Sequence, residues 1–182
     1  MCKIIVMANQ KGGVAKTSST RNLAYSLAEL GKKVLAVDFD PQTNLTISFG
    51  VAPAALQETA ASLMMKLVMD EALPEKESCI LNIGKVDLLP SKKTLTVAEV
   101  NLLIERKDEC LAKLLAPLRA DYDYILVDTG PSLGSLTINA FTAFREQDAD
   151  DLHLGVQFLL DFRDRFRQFL QAHQSEQLRV DG

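Results

Sequence analysis

Short β-branched runs and longer helical stripes alternate along the chain. "KIIVMAN" (3–9) is apolar at consecutive positions and closes on polar residues, which predicts a strand buried on both faces. "KTSSTRNLAYSLAELGKK" follows, with Leu23, Leu27 and Leu30 at helical spacing beside Ala24 and Ala28, and Gly31 as its stop. "KVLAVDFD" (33–40) reads as a second strand with acidic residues at its end, expected next to the first in the sheet. Strand, helix and strand in this order form a βαβ unit, whose crossover should be right-handed. Residues 52–78 read as a helical region rich in Ala, Leu and Met, broken by Pro53 and Pro74. "ILNIGKVDLLPS" (80–91) holds one or two short strands. Residues 96–118 read as a helix with Val100, Leu103, Leu111, Leu114 and Leu115 on its apolar stripe. "YDYILVDTGPS" (122–132) is a third strong strand. The alternation implies an α/β fold, a mostly parallel sheet covered on both faces.

Composition narrows the class without changing it. A chain of 182 residues suits one domain, and 47% hydrophobic with 24% charged residues fits a globular protein with a real core. The net charge of -4 gives no global reason for nucleic-acid binding and leaves room for a local basic patch. Cys2, Cys79 and Cys110 form no C-x-x-C pair, which argues against a disulfide framework or a zinc site and fits a reducing cytosol. The apolar run at the start is too short for a signal peptide or a membrane span, and no apolar run reaches the ~18 residues a spanning helix needs.

The chemistry concentrates after the first strand. "NQKGGVAKTSST" (9–20) places two glycines, a Lys-Thr pair and a further lysine at the first βα turn. In such a sheet this turn binds anions, because free N–H groups and the helix dipole both favour negative charge there. Gly12 and Gly13 let the backbone approach phosphate oxygens and adopt positive φ. Lys16 would reach the β- and γ-phosphates and Thr17 would bind Mg²⁺. Ala15 stands where the usual G-x-x-x-x-G-K-[ST] pattern has its last glycine, which is strained if φ is positive and harmless if it is negative. Asp128, ending "YILVD", has the form of a Walker B residue, holding Mg²⁺ through a water or through Thr17; capping of the next turn is the plainer role. Asp38 and Asp40, two residues apart in an extended segment, face one side. One could lie near the metal while the other orients a water, or both could be solvated loop residues.

Four motifs in order, "KGGVAKT", "VLAVDFDPQTNLT", "VDLLPSKKTLTVAEVNLL" and "YDYILVDTGPSLGSLTINAFTA", resemble the ParA/Soj family of partitioning ATPases, within the deviant Walker A class that includes MinD. The resemblance runs from residue 1 to about 144, so the chain is expected to hold an ATPase domain over 1–144 and a divergent helical tail over 145–182. It implies a P-loop NTPase-type three-layer sandwich, shortened at the C-terminus. It also implies a role for the second lysine: Lys11 matches the signature lysine that contacts the nucleotide of the other subunit, charge supplied in trans. Lys16 matches the P-loop lysine, Thr17 the Mg²⁺ ligand, Asp40 the residue that orients the attacking water, Asp38 the switch aspartate near the metal, and Asp128 the Walker B residue. Gly12, Gly13, Val14, Ala15, Lys16, Thr17 and Ser18 match the phosphate cradle. The implied function is plasmid or chromosome partition by an ATP- and Mg²⁺-dependent homodimer. It binds DNA without sequence preference and answers to a ParB-like centromere-binding partner. The expected place is the cytoplasm, at the nucleoid, with no membrane role.

Gly130 departs from the family's frequent proline. After "TINAFTA" the resemblance stops. Phe158, Phe162, Phe166 and Phe169 recur at helical spacing there, with Arg163, Arg165 and Arg167 interleaved. Three readings stand: a helix covering the sheet, a membrane-surface or partner helix as in MinD, or a shifted reading frame. Two functional alternatives accompany them, a nucleotide- or partner-binding module without productive hydrolysis and a MinD-like membrane-cycling ATPase.

Overall fold

The computed structural model describes residues 2–145 of the chain. The expected tail helix lies outside them. The strands are β1 (Lys3–Met7), β2 (Val34–Phe39), β3 (Leu81–Ile83), β4 (Val86–Leu89) and β5 (Tyr124–Thr129). They form one sheet in the order β1-β5-β2-β4-β3. Every pairing is parallel except the β3–β4 hairpin. The second strand is therefore not beside the first. β5 lies between them, because a parallel neighbour needs a crossover and the chain returns to that slot only after residue 123.

The helices among the described residues are α1 (Lys16–Glu29), α2 (Asn44–Ser48), α3 (Ala60–Val68), α4 (Lys76–Cys79), α5 (Leu95–Ile104), α6 (Cys110–Leu115) and α7 (Ser135–Arg145), with short 3-10 turns at Pro53–Ala55 and Pro117–Ala120. Alternate strand residues divide between two cores, as a period of two requires. Leu35, Val37, Phe39, Ile125 and Val127 pack with α3, α5, α6 and α7. Val34, Ala36, Leu88 and Leu126 pack with Ala24 and Ala28 of α1 and Leu45 and Phe49 at α2. Helices thus cover both faces, and β2 is buried along its whole length.

Several sequence expectations need correction. On α1 the small residues Thr20, Ala24 and Ala28 face the sheet, while Leu30 is 75% exposed. Close helix–sheet approach favours short side chains there. Helix occupies only parts of 52–78, and β5 ends at Thr129 rather than 132. The helix expected over 96–118 is two helices, interrupted at Arg106, whose φ is +51°. That break resets the helical phase. Leu111, Leu114 and Leu115 are buried as expected, but α5 buries Leu95, Ala98 and Leu102 and exposes Val100 and Leu103 with Val97 and Ile104. A helix apolar nearly all round gives no periodic signal to choose its inner face. The backbone groups freed at the break need partners. Fully buried Asn139 on α7 supplies them: its carbonyl accepts the Leu111 N–H (3.2 Å), and its amide donates to Lys107 O and Ser135 O (3.0 Å each).

Candidate phosphate and metal site

The C-terminal ends of β1, β5 and β2 lie side by side, and each feeds one part of the site. The turn after β1 carries residues 9–15 and opens α1. Gly13 has φ +73°, and a Cβ there would meet nothing within 4 Å, so the glycine serves conformation rather than space. Ala15 caps α1 in the left-handed region, φ +61° and ψ +26°, with no side-chain hydrogen bond to the first turn. The first-turn N–H groups of α1 are thereby left for a ligand, which is what an anion site at a helix start requires. Ala15 is the strained case, not the harmless one. Lys16 Nζ donates to the Asn9 carbonyl at 3.1 Å, a neutral acceptor that a phosphate oxygen would outcompete. Lys11, Gly12, Val14 and Ser18 are exposed, and the Lys11 ammonium has no partner among the described residues.

The acids come from the sheet. Asp38 of β2 and Asp128 of β5 are paired in register on adjacent parallel strands, so their side chains share the α1/α2 face. Both are fully buried, and Asp40 is 7% exposed. Burial pushes the Asp128 carboxyl up to about 7; the Thr17 hydroxyl and the Lys16 charge pull it down, and the charges of Asp38 and Asp40 add to the rise. Burial likewise raises Asp38 to about 6, against two hydrogen bonds from Thr46 that favour its charged form. Thr20 Oγ1 donates to Lys16 O at 3.0 Å and lies 3.5 Å from Asp128 Oδ1. Asp128 Oδ2 is buried without a hydrogen-bond partner.

That orphaned oxygen is a test of fit for a divalent cation, and the site passes it. A hard cation takes oxygen donors, and Thr17 and Asp128 offer them beside the phosphate loop. Among the described residues no three His, Cys, Asp or Glu side chains converge on one ion position. Most ligands would therefore come from phosphate and water, the habit of Mg²⁺ in nucleotide sites. Asp38 is less free than its position suggests, since Thr46 and the Asp40 N–H occupy its oxygens.

Asp40 lies in the turn past β2. Its Oδ1 accepts the Gln42 N–H at 2.9 Å and lies 3.2 Å from where a Cβ on Gly130 would be. A side chain at Gly130 would therefore crowd Asp40. Sequence reasoning missed three contributors. Thr20 and Thr46 look like ordinary helix residues, and only contact between elements reveals them. Glu99 of α5 accepts the Leu136 N–H at the start of α7, and a side chain on Gly134 would displace its carboxyl. Its carboxyl is raised, first by burial.

Comparison with known proteins places this arrangement. An AAA domain family model matches residues 2–147. The sporulation initiation inhibitor protein Soj of Bacillus subtilis is 39% identical over 144 residues, covering 79% of this chain and 55% of Soj. The chromosome partitioning protein ParA of Myxococcus xanthus is 40% identical over 142 residues, 78% of this chain and 49% of that protein. A crystal structure of cobyrinic acid a,c-diamide synthase from Mycobacterium smegmatis, with bound ATP analogue and magnesium, superposes with a TM-score of 0.72 at 35% identity, over 79% of this chain and 57% of that one. The chain spans about half the length of the curated relatives it matches. With its ordered motifs, its parallel sheet and its glycine-containing turn beside paired acids, the chain belongs to this AAA domain family and, within it, to the ParA/Soj group.

Proposed function

We propose that this chain binds Mg-ATP at residues 11–18 and hydrolyses it as a ParA-type partition ATPase. The observation that carries the reading is the buried Asp128 oxygen without a partner, beside Thr17 and Lys16 and in register with Asp38. A cation would offset that charge further than the Thr17 hydroxyl and the Lys16 ammonium do, and would give the unpartnered oxygen a ligand. In this reading Lys16 leaves the Asn9 carbonyl for the phosphates, and the amides of residues 12–18 cradle them. Thr17 and Asp128 hold Mg²⁺, with Asp38 behind them, and Asp40 orients the attacking water. Mg²⁺ supplies neutralisation of the phosphate charge. Lys11 of a second copy supplies further charge in trans, which makes the active unit a homodimer. Nonspecific DNA, a ParB-like partner and a cytoplasmic, nucleoid-bound location follow from the partition role that the name of the Myxococcus xanthus relative carries. No helix among the described residues is long and apolar enough to cross a membrane.

The test is ATP turnover, nucleotide affinity and size-exclusion behaviour for wild type, Lys16→Ala and Lys11→Ala. Lys16→Ala should lower turnover by about 100-fold or more. Lys11→Ala should still bind nucleotide but not dimerise with a non-hydrolysable analogue. DNA binding should fall steeply with salt. No wild-type binding at millimolar Mg-ATP overturns the reading. Binding without turnover or dimerisation favours a binding module instead. Sedimentation with lipid vesicles, lost on deleting residues 152–172, favours the membrane-cycling alternative.

A further inference from the structure

The turn between β2 and α2 carries Asp40, and one carboxylate ties both of its ends. Asp38 Oδ1 accepts the Asp40 N–H at 3.3 Å. Asp38 Oδ2 accepts the Thr46 N–H at 2.7 Å and the Thr46 hydroxyl at 2.6 Å. A hydroxyl has a single proton, and here it goes to Asp38. The Thr46 oxygen is left to accept, and it takes the Ser91 N–H at 2.9 Å. Asp38, Thr46 and Ser91 are all fully buried. One hydroxyl therefore joins the end of β2, the first turn of α2 and the segment that follows β4. The turn itself is closed internally: Asp40 O accepts the Thr43 N–H at 2.9 Å, Asp40 Oδ1 accepts the Gln42 N–H, and Thr43 holds φ +59°. Its polar attachment to the sheet runs through Asp38 and Thr46, beside the apolar packing of Leu45 and Phe49.

We infer that Thr46 is a positioning residue for hydrolysis: by fixing Asp38 against Ser91 it sets the place of Asp40 above Gly130. The inference rests on the role proposed for Asp40. Threonine is required for chemistry and not for shape. Valine fills the same volume and keeps the backbone N–H bond, but it offers Asp38 no proton and Ser91 no acceptor.

The experiment compares the full-length wild type with Thr46→Val and Thr46→Ser. It measures kcat and KM for Mg-ATP, and amide hydrogen exchange in the nucleotide-free protein. Thr46→Val should lower kcat by about tenfold or more with KM within about threefold, because the acid is misplaced while the phosphate loop is untouched. Exchange over residues 40–46 should quicken by about tenfold, with β5 unchanged. Thr46→Ser should bring both readouts back to within about threefold of wild type. Wild-type kcat and exchange in Thr46→Val overturn the inference. So does failure of Thr46→Ser to rescue, and so does quickened exchange throughout the protein with kcat and KM lost together. If the wild type shows no turnover, the functional reading has failed. Exchange then decides the anchoring by itself: unchanged rates over 40–46 in Thr46→Val overturn it, and quickening confined there and reversed by serine upholds it.

Discussion

Asp128→Asn should stabilise the metal-free protein above neutral pH. The native environment raises this carboxyl from its ordinary 3.8 to about 7, chiefly by burial. An acid raised on folding adds stability that is complete below its unfolded value and is lost as pH climbs through the folded value. The window here runs from about pH 4 to about pH 7. Forcing the group to ionise at pH 8 costs on the order of 4 kcal/mol, and relaxation of the site trims this to about 2–3 kcal/mol. Asparagine has nearly the same shape and never ionises. It brings an amide to satisfy, a cost that is constant with pH, so the informative quantity is the change in the mutant-minus-wild-type difference. Thermal melts in EDTA should show that difference moving in favour of Asp128→Asn by roughly 5–10 °C between pH 5 and pH 8. Asp38, raised to about 6, acts in the same sense in both proteins and largely cancels. Adding Mg-ATP at pH 8 should reverse the order, since the wild type then gains stability from binding and the variant does not. A difference that stays flat from pH 5 to pH 8 refutes the argument that Asp128 is a carboxylate held for a cation.

Other substitutions probe neighbouring features. Ala15→Gly should raise stability by about 1 kcal/mol, or roughly 2–4 °C in the melting temperature, because it relieves a left-handed alanine. A lower melting temperature would show that the loop rests at negative φ. Gly130→Ala places a methyl 3.2 Å from Asp40 Oδ1 and should reduce kcat several-fold with little change in KM. An unchanged kcat would free Asp40 from any need for its present position. Asn139→Ala removes three hydrogen bonds, two buried and one partly buried, and should cost about 3 kcal/mol in urea denaturation. A loss under about 1 kcal/mol would mean that water replaces the amide at the helix break.

The sheet and the glycine-containing turn after β1 were legible because their signals are local. "KIIVM", "VLAVDF" and "YILVDT" are continuous apolar runs of strand length, and the turn after the first has a fixed chemical vocabulary. The acids could be named for the same reason, as they end strands. Strand order could not be read from runs alone, so β5 was not seen between β1 and β2. The break at Arg106 was also hidden, since it depends on a buried amide contributed by α7 from some 30 residues away. Thr46 and Glu99 stayed invisible as site residues for the same reason: their partners, Ser91 and Leu136, lie on other elements.

The register of Asp38 against Asp128 ties chemistry to the last stages of folding. These two residues are 90 positions apart in the chain, and their strands can pair only once the intervening α3–α6 segment has folded back as a crossover. A slip of one residue would bring Val127 or Thr129 opposite Asp38 and turn the acid of β5 to the other face of the sheet. With these acids in the role proposed for them, metal affinity is acquired late and all at once. During refolding it should trail the recovery of helical structure, and ion binding becomes a proofreading signal for correct topology.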